Sequence, residues 1–316
     1  MALRGFLEEW HSDSLYIEAH TSGSTGRPKA IRLLKTDMRQ SALATNKFFG
    51  IDSSSVLATP LSMDYIAGKM MAVRADVAGC RLIELPVSSR IELPDTTSRI
   101  DLLPIVPAQI DSLLEHSEYA ARIDALLIGG AAPSAAQCRA LADAGYNAFI
   151  SYGMTETCSH VAIARADDPG RTFHAMPGIS FESDADGCLT IVAPAFSFGR
   201  LATRDIADIV SPQEFRWRGR ADGVINSGGI KLFPEELEEL YRGVLGDRPY
   251  YICAAPHPRW GQCVALILEG PADTAAVAAA LRSAIADTRR LPKIIGTVAE
   301  LPRTATGKIV RHYPAP

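Results

Sequence analysis

Apolar and polar positions alternate in blocks along most of the chain. "LYIEA" before His20 has strand character, and so do "SVLATPL", "CRLIEL", "IDLLPIV", "DALLIGG" and "NAFISYG". Between them lie stretches with helical spacing: "YIAGKMMAVRADVAG", "PAQIDSLLEHS" and "SAAQCRALADAG". Strand–helix alternation of this kind predicts an α/β core built on a largely parallel sheet. Such sheets bind ligands in crevices beyond the carboxyl ends of their strands. From about Cys188 the pattern shortens to the β-like runs "CLTIVA" and "DIADIV". A second unit is expected near "GRADGVINSGG". It holds a helix opened by Pro234 ("PEELEELYRGVL"), a strand "CVALIL", an Ala-rich helix "AAVAAALRSAIAD" and a polar tail "PRTATGKIVR".

Composition narrows the classes. The chain has 316 residues, 47% hydrophobic and 22% charged, ordinary for a globular protein with room for two domains. A net charge of −4 gives no global field toward nucleic acid or membrane. Glu8 and Glu9 interrupt the N-terminal segment where a signal peptide needs an apolar run. No stretch approaches the ~18 apolar residues of a membrane span. The six cysteines show no C-x-x-C and no matched Cys/His pairs, so reduced thiols in a cytoplasmic protein are expected.

The loop "HTSGSTGRPKA", from His20 to Ala30, carries the first candidate chemistry. Gly23 and Gly26 let backbone amides approach a ligand. Thr21, Ser22, Ser24 and Thr25 add hydroxyls, and Lys29 adds a charge. Amides, hydroxyls and a cation at this spacing suit phosphate oxygens. The Walker signature is absent. By itself the loop fits a phosphate cradle and a Ser/Thr-rich surface turn equally.

Three further stretches follow: "SYGMTET" (151–157), "GRADGVINSGGIKLFPEELE" (219–238) and "LPRTATGK" (301–308). Together with the loop, and in this order, they resemble the signature segments of the adenylate-forming superfamily of acyl-CoA synthetases, adenylation domains and luciferases. "LLPIVPAQIDSLL", "IGGAAP", "TRDIADI" and "PHPRWGQCVALIL" are weaker matches between them, so the resemblance runs from Ile17 to His312. The phosphate loop begins only about twenty residues into the chain, whereas family members usually carry a substantial subdomain before it. The chain looks like a minimised member lacking that first subdomain, similar to short bacterial o-succinylbenzoate–CoA ligases of menaquinone synthesis. The resemblance implies an α/β AMP-binding core over 1–221 and a small mobile α+β domain over 222–316.

It also implies two half-reactions. A carboxylate attacks the α-phosphate of ATP to give acyl-AMP and pyrophosphate, and the thiol of CoA then displaces AMP. The loop from Thr21 to Lys29 is expected to hold the β- and γ-phosphates. Glu156 resembles the magnesium ligand and Thr155 the residue that bonds the α-phosphate. Tyr152 is expected to pack on adenine, with the backbone around Gly130 and Ala131 on the opposite face. Asp205 matches the aspartate that accepts both ribose hydroxyls, with Asp208 as a neighbouring decoy. Arg220 matches the arginine that contacts the nucleotide, and Asp222 the hinge. Lys308 matches the lysine that reaches the bridging oxygens. Gly228 and Gly229 would leave room for pantetheine. Each residue also has a plain reading: Glu156 a solvated glutamate, Tyr152 a core aromatic, Asp205 a turn residue, the glycines a hairpin, Lys308 a solvated lysine.

The acid rests on α-helical spacing. Ile66, Met70 and Arg74 recur every four residues, with Val73 and Val77 adjacent, so Arg74 lies on or beside an apolar stripe. A cation there needs a partner. An internal Asp or Glu is one candidate, and a second carboxylate on the ligand is the other. In o-succinylbenzoate–CoA ligases an arginine six residues after the glycine corresponding to Gly68 serves the distal carboxylate. Tyr65 stands where many members have His, so the pocket wall differs. The expected activity is an AMP-forming o-succinylbenzoate–CoA ligase using ATP, Mg2+ and CoA. The alternatives are another aryl-acid ligase, a carrier-protein adenylation domain, or a non-catalytic nucleotide-binding module. The partners are small molecules, with no nucleic acid or membrane, and a homo-oligomer is left open.

Overall fold

Helix α1 (Leu3–Trp10) places Phe6 and Trp10 one turn apart, and both are buried. The computed structural model describes residues 2–21, 29–303 and 309–314. After α1, strands β1 (Tyr16–Thr21) and β2 (Lys29–Leu34) form an antiparallel hairpin whose last register pair is Thr21 with Lys29. Helix α2 (Lys35–Phe49), β3 (Val56–Thr59), α3 (Ile66–Ala78) and β4 (Arg81–Glu84) follow. Both α2 and α3 stop at a left-handed glycine, Gly50 and Gly79, each with φ of 67°. Strands β3 and β4 are parallel, with α3 as their crossover.

The sequence places one apolar stripe on α3. Instead every residue from Gly68 to Ala75 is buried, so the helix is enclosed on all sides over two turns. Phe6, Trp10, Ile17, Met38 and Cys158 pack on it. Gly68 is required there, because a Cβ would lie 2.3 Å from the Ser62 carbonyl oxygen.

The parallel section continues with β5 (Leu103–Ile105), α4 (Ile110–Leu114), β6 (Leu126–Ile128), α5 (Ala135–Asp143) and β7 (Ala148–Gly153). A parallel bridge between Leu57 and Leu102 joins β3 to this section. Helix α5 opens with a reciprocal cap: Gln137 N–H donates to Ser134 Oγ (3.1 Å), and Ser134 N–H to Gln137 Oε1 (3.0 Å).

The expectation of a largely parallel sheet fails after β7. Strand β8 (His160–Arg165) pairs antiparallel with it, and so do all later pairings in this sheet: β9 (Thr172–Ala175), β10 (Ser180–Ser183), β11 (Cys188–Ala193), β12 (Gly199–Ser211) and β13 (Glu214–Arg220). The cause is connection length. Residues 154–159 alone link β7 to β8, too few for a parallel crossover. The nine strands run β10-β11-β12-β13-β9-β8-β7-β6-β5. Four pairings separate β7 from β12, which on a flat sheet is about 19 Å at ~4.8 Å per strand. Yet the Tyr152 hydroxyl on β7 and the Asp205 carboxylate on β12 are 2.8 Å apart. The sheet is therefore rolled, and an aromatic cluster fills the roll. Phe215 lies 4.9 Å from Tyr152, 5.2 Å from Phe173 and 4.7 Å from Phe181, centroid to centroid.

Beyond Arg220 a second sheet begins. It contains β14 (Ile225–Ser227), β15 (Ile230–Leu232), β16 (Tyr250–His257), β17 (Gly261–Glu269) and β18 (Ile294–Val298), with helices α6 (Pro234–Leu245) and α7 (Thr274–Ala284). Its order is β15-β14-β17-β16, and β18 adds parallel to β17. Leu237, Tyr241 and Leu281 of the helices pack on Ile252, Val264 and Leu266 of the strands. The two sheets touch through Arg218 of β13, which pairs with Glu236 of α6 and, at 2.8 Å, with Asp208. All six cysteines are free and four are buried. No helix among the described residues is long and apolar enough to cross a membrane.

Candidate active site

Asp205 is the best-anchored acidic side chain of the rolled sheet, only 6% exposed. Tyr152 donates to its Oδ2 at 2.8 Å, and Trp217 Nε1–H donates to its Oδ1 at 3.2 Å. Arg220 Nη1 stands 3.8 Å from Oδ1. A carboxylate offers about four lone-pair sites, so each oxygen keeps one for a vicinal diol. Asp208 is exposed and tied to Arg218 at 2.8 Å. Arg220 also grips Asp222 through two bonds of 3.2 and 3.1 Å. That contact raises the arginine's pKa and lowers the aspartate's. Burial, reinforced by the Asp205 charge, pushes the Tyr152 phenol upward, so it stays a donor.

Tyr152 is the penultimate residue of β7, at the carboxyl edge of the parallel strands. The β6–β7 register ends with Ile128 paired to Ile150, and the chain leaves β6 through Gly129 and Gly130 two residues on. Gly130 has φ of 80°, and Gly130 and Ala131 are exposed. The tyrosine is half-buried and edge-packed on Phe215, which agrees with its reading as a core aromatic.

A 3-10 turn, Thr155–Thr157, follows and packs against β1. Thr157 Oγ1 closes it by accepting from Met154 N–H (3.0 Å), with the Ser159 carbonyl at 2.7 Å and the Met154 carbonyl at 2.9 Å as acceptors for its single hydrogen. Thr155 is half-buried and Glu156 exposed. A hard carboxylate oxygen on an open turn suits magnesium completed by phosphate oxygens and water. Among the described residues no group of three or more His, Cys, Asp or Glu is placed to hold a metal by itself. The chain then doubles back sharply. Cys158 takes φ of 63°, and a Cβ on Gly153 would lie 2.3 Å from the Ser159 carbonyl oxygen. Ser22, Gly23, Ser24, Thr25, Gly26 and Lys308 lie outside the described residues, as do the side chains of Thr21 and Lys29.

Arg74 is 2% exposed on α3. Its Nη2 donates to Ser159 Oγ (2.5 Å) and its Nη1 to Met71 Sδ (3.3 Å), and Nε is buried without a partner. No carboxylate pairs with it among the described residues, and the remaining stretches contain no Asp or Glu. Burial alone pulls its pKa down to about 10. Beside it lie Thr45, Asn46 and His160, all buried. Asn46 Nδ2 donates to the Arg74 carbonyl (3.0 Å), and His160 bonds Thr45 and Ser159 at 3.1 and 3.3 Å. Tyr65 caps the far end of α3 and is 45% exposed. Nine positions along the chain separate it from Arg74, about 13 Å along the axis.

Gly228 and Gly229 form the two-residue turn of the β14–β15 hairpin, with φ of 60° and 88°. Gly228 N–H donates to the Trp260 carbonyl (3.0 Å), and a Cβ there would meet the indole at 3.3 Å. The hairpin reading is thus correct, and the turn is also walled by an aromatic ring. Trp217, Thr45, Ser159 and His160 were absent from the sequence-based set. Trp217 shares a strand with Arg220, a signal that was available, whereas a single His opening an apolar run carries none.

The family model described as "AMP-binding enzyme" matches residues 6–181, more than half of the chain. The chain belongs to the AMP-binding enzyme family. A solved acyl-CoA synthetase (AMP-forming)/AMP-acid ligase II-like protein from Dyadobacter fermentans is 31% identical, with a TM-score of 0.64 over 96% of this chain and 90% of that one. The o-succinylbenzoate CoA synthetase from Bacillus subtilis, solved with its acyl-adenylate intermediate, is 21% identical with a TM-score of 0.78, a likeness of fold. That match covers 93% of this chain and 67% of the other. The 2-succinylbenzoate–CoA ligase of Staphylococcus aureus is 26% identical over 322 residues, which is 92% of this chain. The chain spans about 65% of the length of that curated relative. This AMP-binding family member thus has the mixed α/β fold of adenylate-forming enzymes over most of its length.

Proposed function

We propose that this protein is an AMP-forming acid–CoA ligase whose acid carries two carboxylates, with o-succinylbenzoate as the substrate. The observation that carries the choice of acid is Arg74: a buried guanidinium whose Nε has no partner and with which no carboxylate pairs among the described residues. A buried charge without a counter-charge is costly, and a ligand that supplies one is bound with that cost recovered. The names of the relatives support the same class of acid.

In the adenylation step the reacting carboxylate attacks the α-phosphorus, and pyrophosphate leaves. Asp205 accepts the ribose hydroxyls at its two remaining sites. Tyr152 and the Gly130–Ala131 backbone flank adenine. Thr155 bonds the α-phosphate, and the 21–29 loop and Lys308 offset the charge of the phosphates. Glu156 would hold magnesium, which when bound neutralises phosphate oxygens. Arg74 holds the distal carboxylate and so fixes which end of the acid reacts. In the second step the CoA thiol attacks the acyl carbon and AMP leaves. Rotation about Asp222 brings the Gly228–Gly229 turn to the thiol's path, over a domain division at 221/222. The Arg220–Asp222 pair ties the nucleotide's arginine to that hinge.

The test is pyrophosphate release measured acid by acid, with and without CoA. Release with o-succinylbenzoate, well above the analogue lacking its ring carboxylate, is expected. CoA should convert a single burst into turnover. Equal rates with both acids would remove o-succinylbenzoate, and no release with any acid would leave a nucleotide-binding module.

A further inference from the structure

The bonds around His160 can be given directions. Thr45 Oγ1 donates its single hydrogen to the Ser41 carbonyl at 3.0 Å. Toward His160 Nε2, 3.1 Å away, it can therefore only accept, so Nε2 carries a proton. In a neutral imidazole Nδ1 is then a lone pair. Ser159 Oγ, 3.3 Å from Nδ1, must donate to it. With its hydrogen so committed, Ser159 presents only lone pairs to Arg74 Nη2, 2.5 Å away. The chain ends at a backbone carbonyl, and this arrangement gives both hydroxyl hydrogens an acceptor. His160 is buried, and burial together with the Arg74 charge holds its pKa well below the usual histidine range.

We propose that His160, locked as the Nε2–H tautomer by Thr45, is a positioning residue for acid selection: it fixes the Ser159 hydroxyl so that Arg74 is held with Nε left unpartnered for the ligand's second carboxylate. This rests on the reading of Arg74 as the carboxylate site. His160 touches neither the ligand nor the reacting atoms. Without its ring the Ser159 hydroxyl is free to rotate and to turn its hydrogen toward the guanidinium. The arginine then loses its one oxygen acceptor and its fixed direction. Gly153 belongs to the same device, since only a residue without a Cβ lets β7 approach His160 Cα, which would lie 2.6 Å from that atom.

The experiment compares KM and kcat for o-succinylbenzoate and for the analogue without the ring carboxylate, in wild type, Arg74→Ala, His160→Leu and His160→Asn. His160→Leu should raise KM for the dianion about tenfold or more while the analogue stays within about twofold. His160→Asn, whose amide oxygen can still accept from Ser159, should recover part of that loss. If Arg74→Ala separates the two acids and His160→Leu does not, the positioning role is wrong and the carboxylate site stands. If Arg74→Ala fails to separate them, the carboxylate site itself is wrong and the inference goes with it. A readout on wild type needs no variant to fold: 15N-histidine spectra at neutral pH should show a neutral ring with its proton on Nε2. A proton on Nδ1, or an imidazolium, overturns the proposal.

Discussion

Replacing Arg74 by Met should make the unliganded protein more stable while making it a poor ligase for a dianionic acid. The two side chains have similar length, and the site around Arg74 is enclosed, so the thioether fits the same space. Burial takes the guanidinium down to about 10, which at ~1.4 kcal/mol per pH unit is about 3 kcal/mol of cost for keeping it charged at neutral pH. Against that, Met loses the Ser159 bond to a charged donor, roughly 2 kcal/mol. Ser159 keeps His160 as a partner and is not left unsatisfied. The net is about 1 kcal/mol in favour of Met, or about 2 °C in Tm for a chain of this size. The sign with pH follows. Arg74 is charged in both folded and unfolded states near neutrality, so the gap in Tm should be constant from about pH 6 to 9. It should shrink only as pH approaches 10, where folded wild type sheds the proton first and gains stability. Activity should move the other way. Loss of a buried charge pair typically costs about 2–5 kcal/mol, so kcat/KM for o-succinylbenzoate should fall roughly 30-fold to several thousand-fold. The analogue lacking the ring carboxylate should be nearly unaffected. Thermal melts across pH and steady-state kinetics with both acids make the assay. A Tm that falls by several degrees, with both acids impaired alike, would refute the reasoning by showing that Arg74 serves the fold.

Lys308→Ala should reduce pyrophosphate release by orders of magnitude yet spare thioester formation from supplied acyl-AMP; equal loss in both half-reactions would sink the two-posture mechanism. Gly228→Leu puts a side chain at φ of 60° against Trp260, so CoA turnover should drop while acyl-AMP still forms and stays bound; normal CoA turnover with failed adenylation would move this turn to the nucleotide site. Gly153→Ala forces a Cβ against backbone atoms that cannot give, and denaturant melts should show a loss of about 1–3 kcal/mol or more; an unchanged melt would mean the turn after β7 can shift freely. Burial pushes the Cys158 thiol up to about 12, so at pH ~8 iodoacetamide should label Cys80 and Cys188 long before it; early labelling of Cys158 would contradict its enclosure.

Much of this molecule was legible in its residues, and the misses have causes. "NAFISYG" read as a strand and became β7, and "YIAGKMMAVRADVAG" became α3, because periodicity is a local property. The direction of β8 was also local information: residues 154–159 are too short a link for anything but an antiparallel return. The spacing of Arg74 placed it toward the interior, but its partner could not be read, since a counter-charge comes from anywhere in the chain. Ser159 lies 85 residues away and Thr45 is 115 residues from His160, distances over which no spacing rule operates. Asp205 was separable from Asp208 by motif resemblance. Physically the two are told apart by strand alternation: three residues apart on β12, Asp205 faces inward and Asp208 outward, which could be read only once the strand itself was placed.

The Tyr152–Asp205 bond has a consequence for how the proposed nucleotide site would drift under mutation. Its two ends are carried by strands that meet only because every intervening strand contributes some rotation. The gap between them is therefore an accumulated sum, and errors in it accumulate too. A change of about 5° in twist at each of the four pairings adds to about 20° at the far side, well within the normal spread of strand twist. A substitution at Phe215 or Phe173, touching neither adenine nor ribose, would then spoil nucleotide affinity by misclosing the circumference. Conversely, the hydroxyl of Tyr152 works as a gauge of that closure: its bond is made only when the whole circuit of strands has its proper curvature.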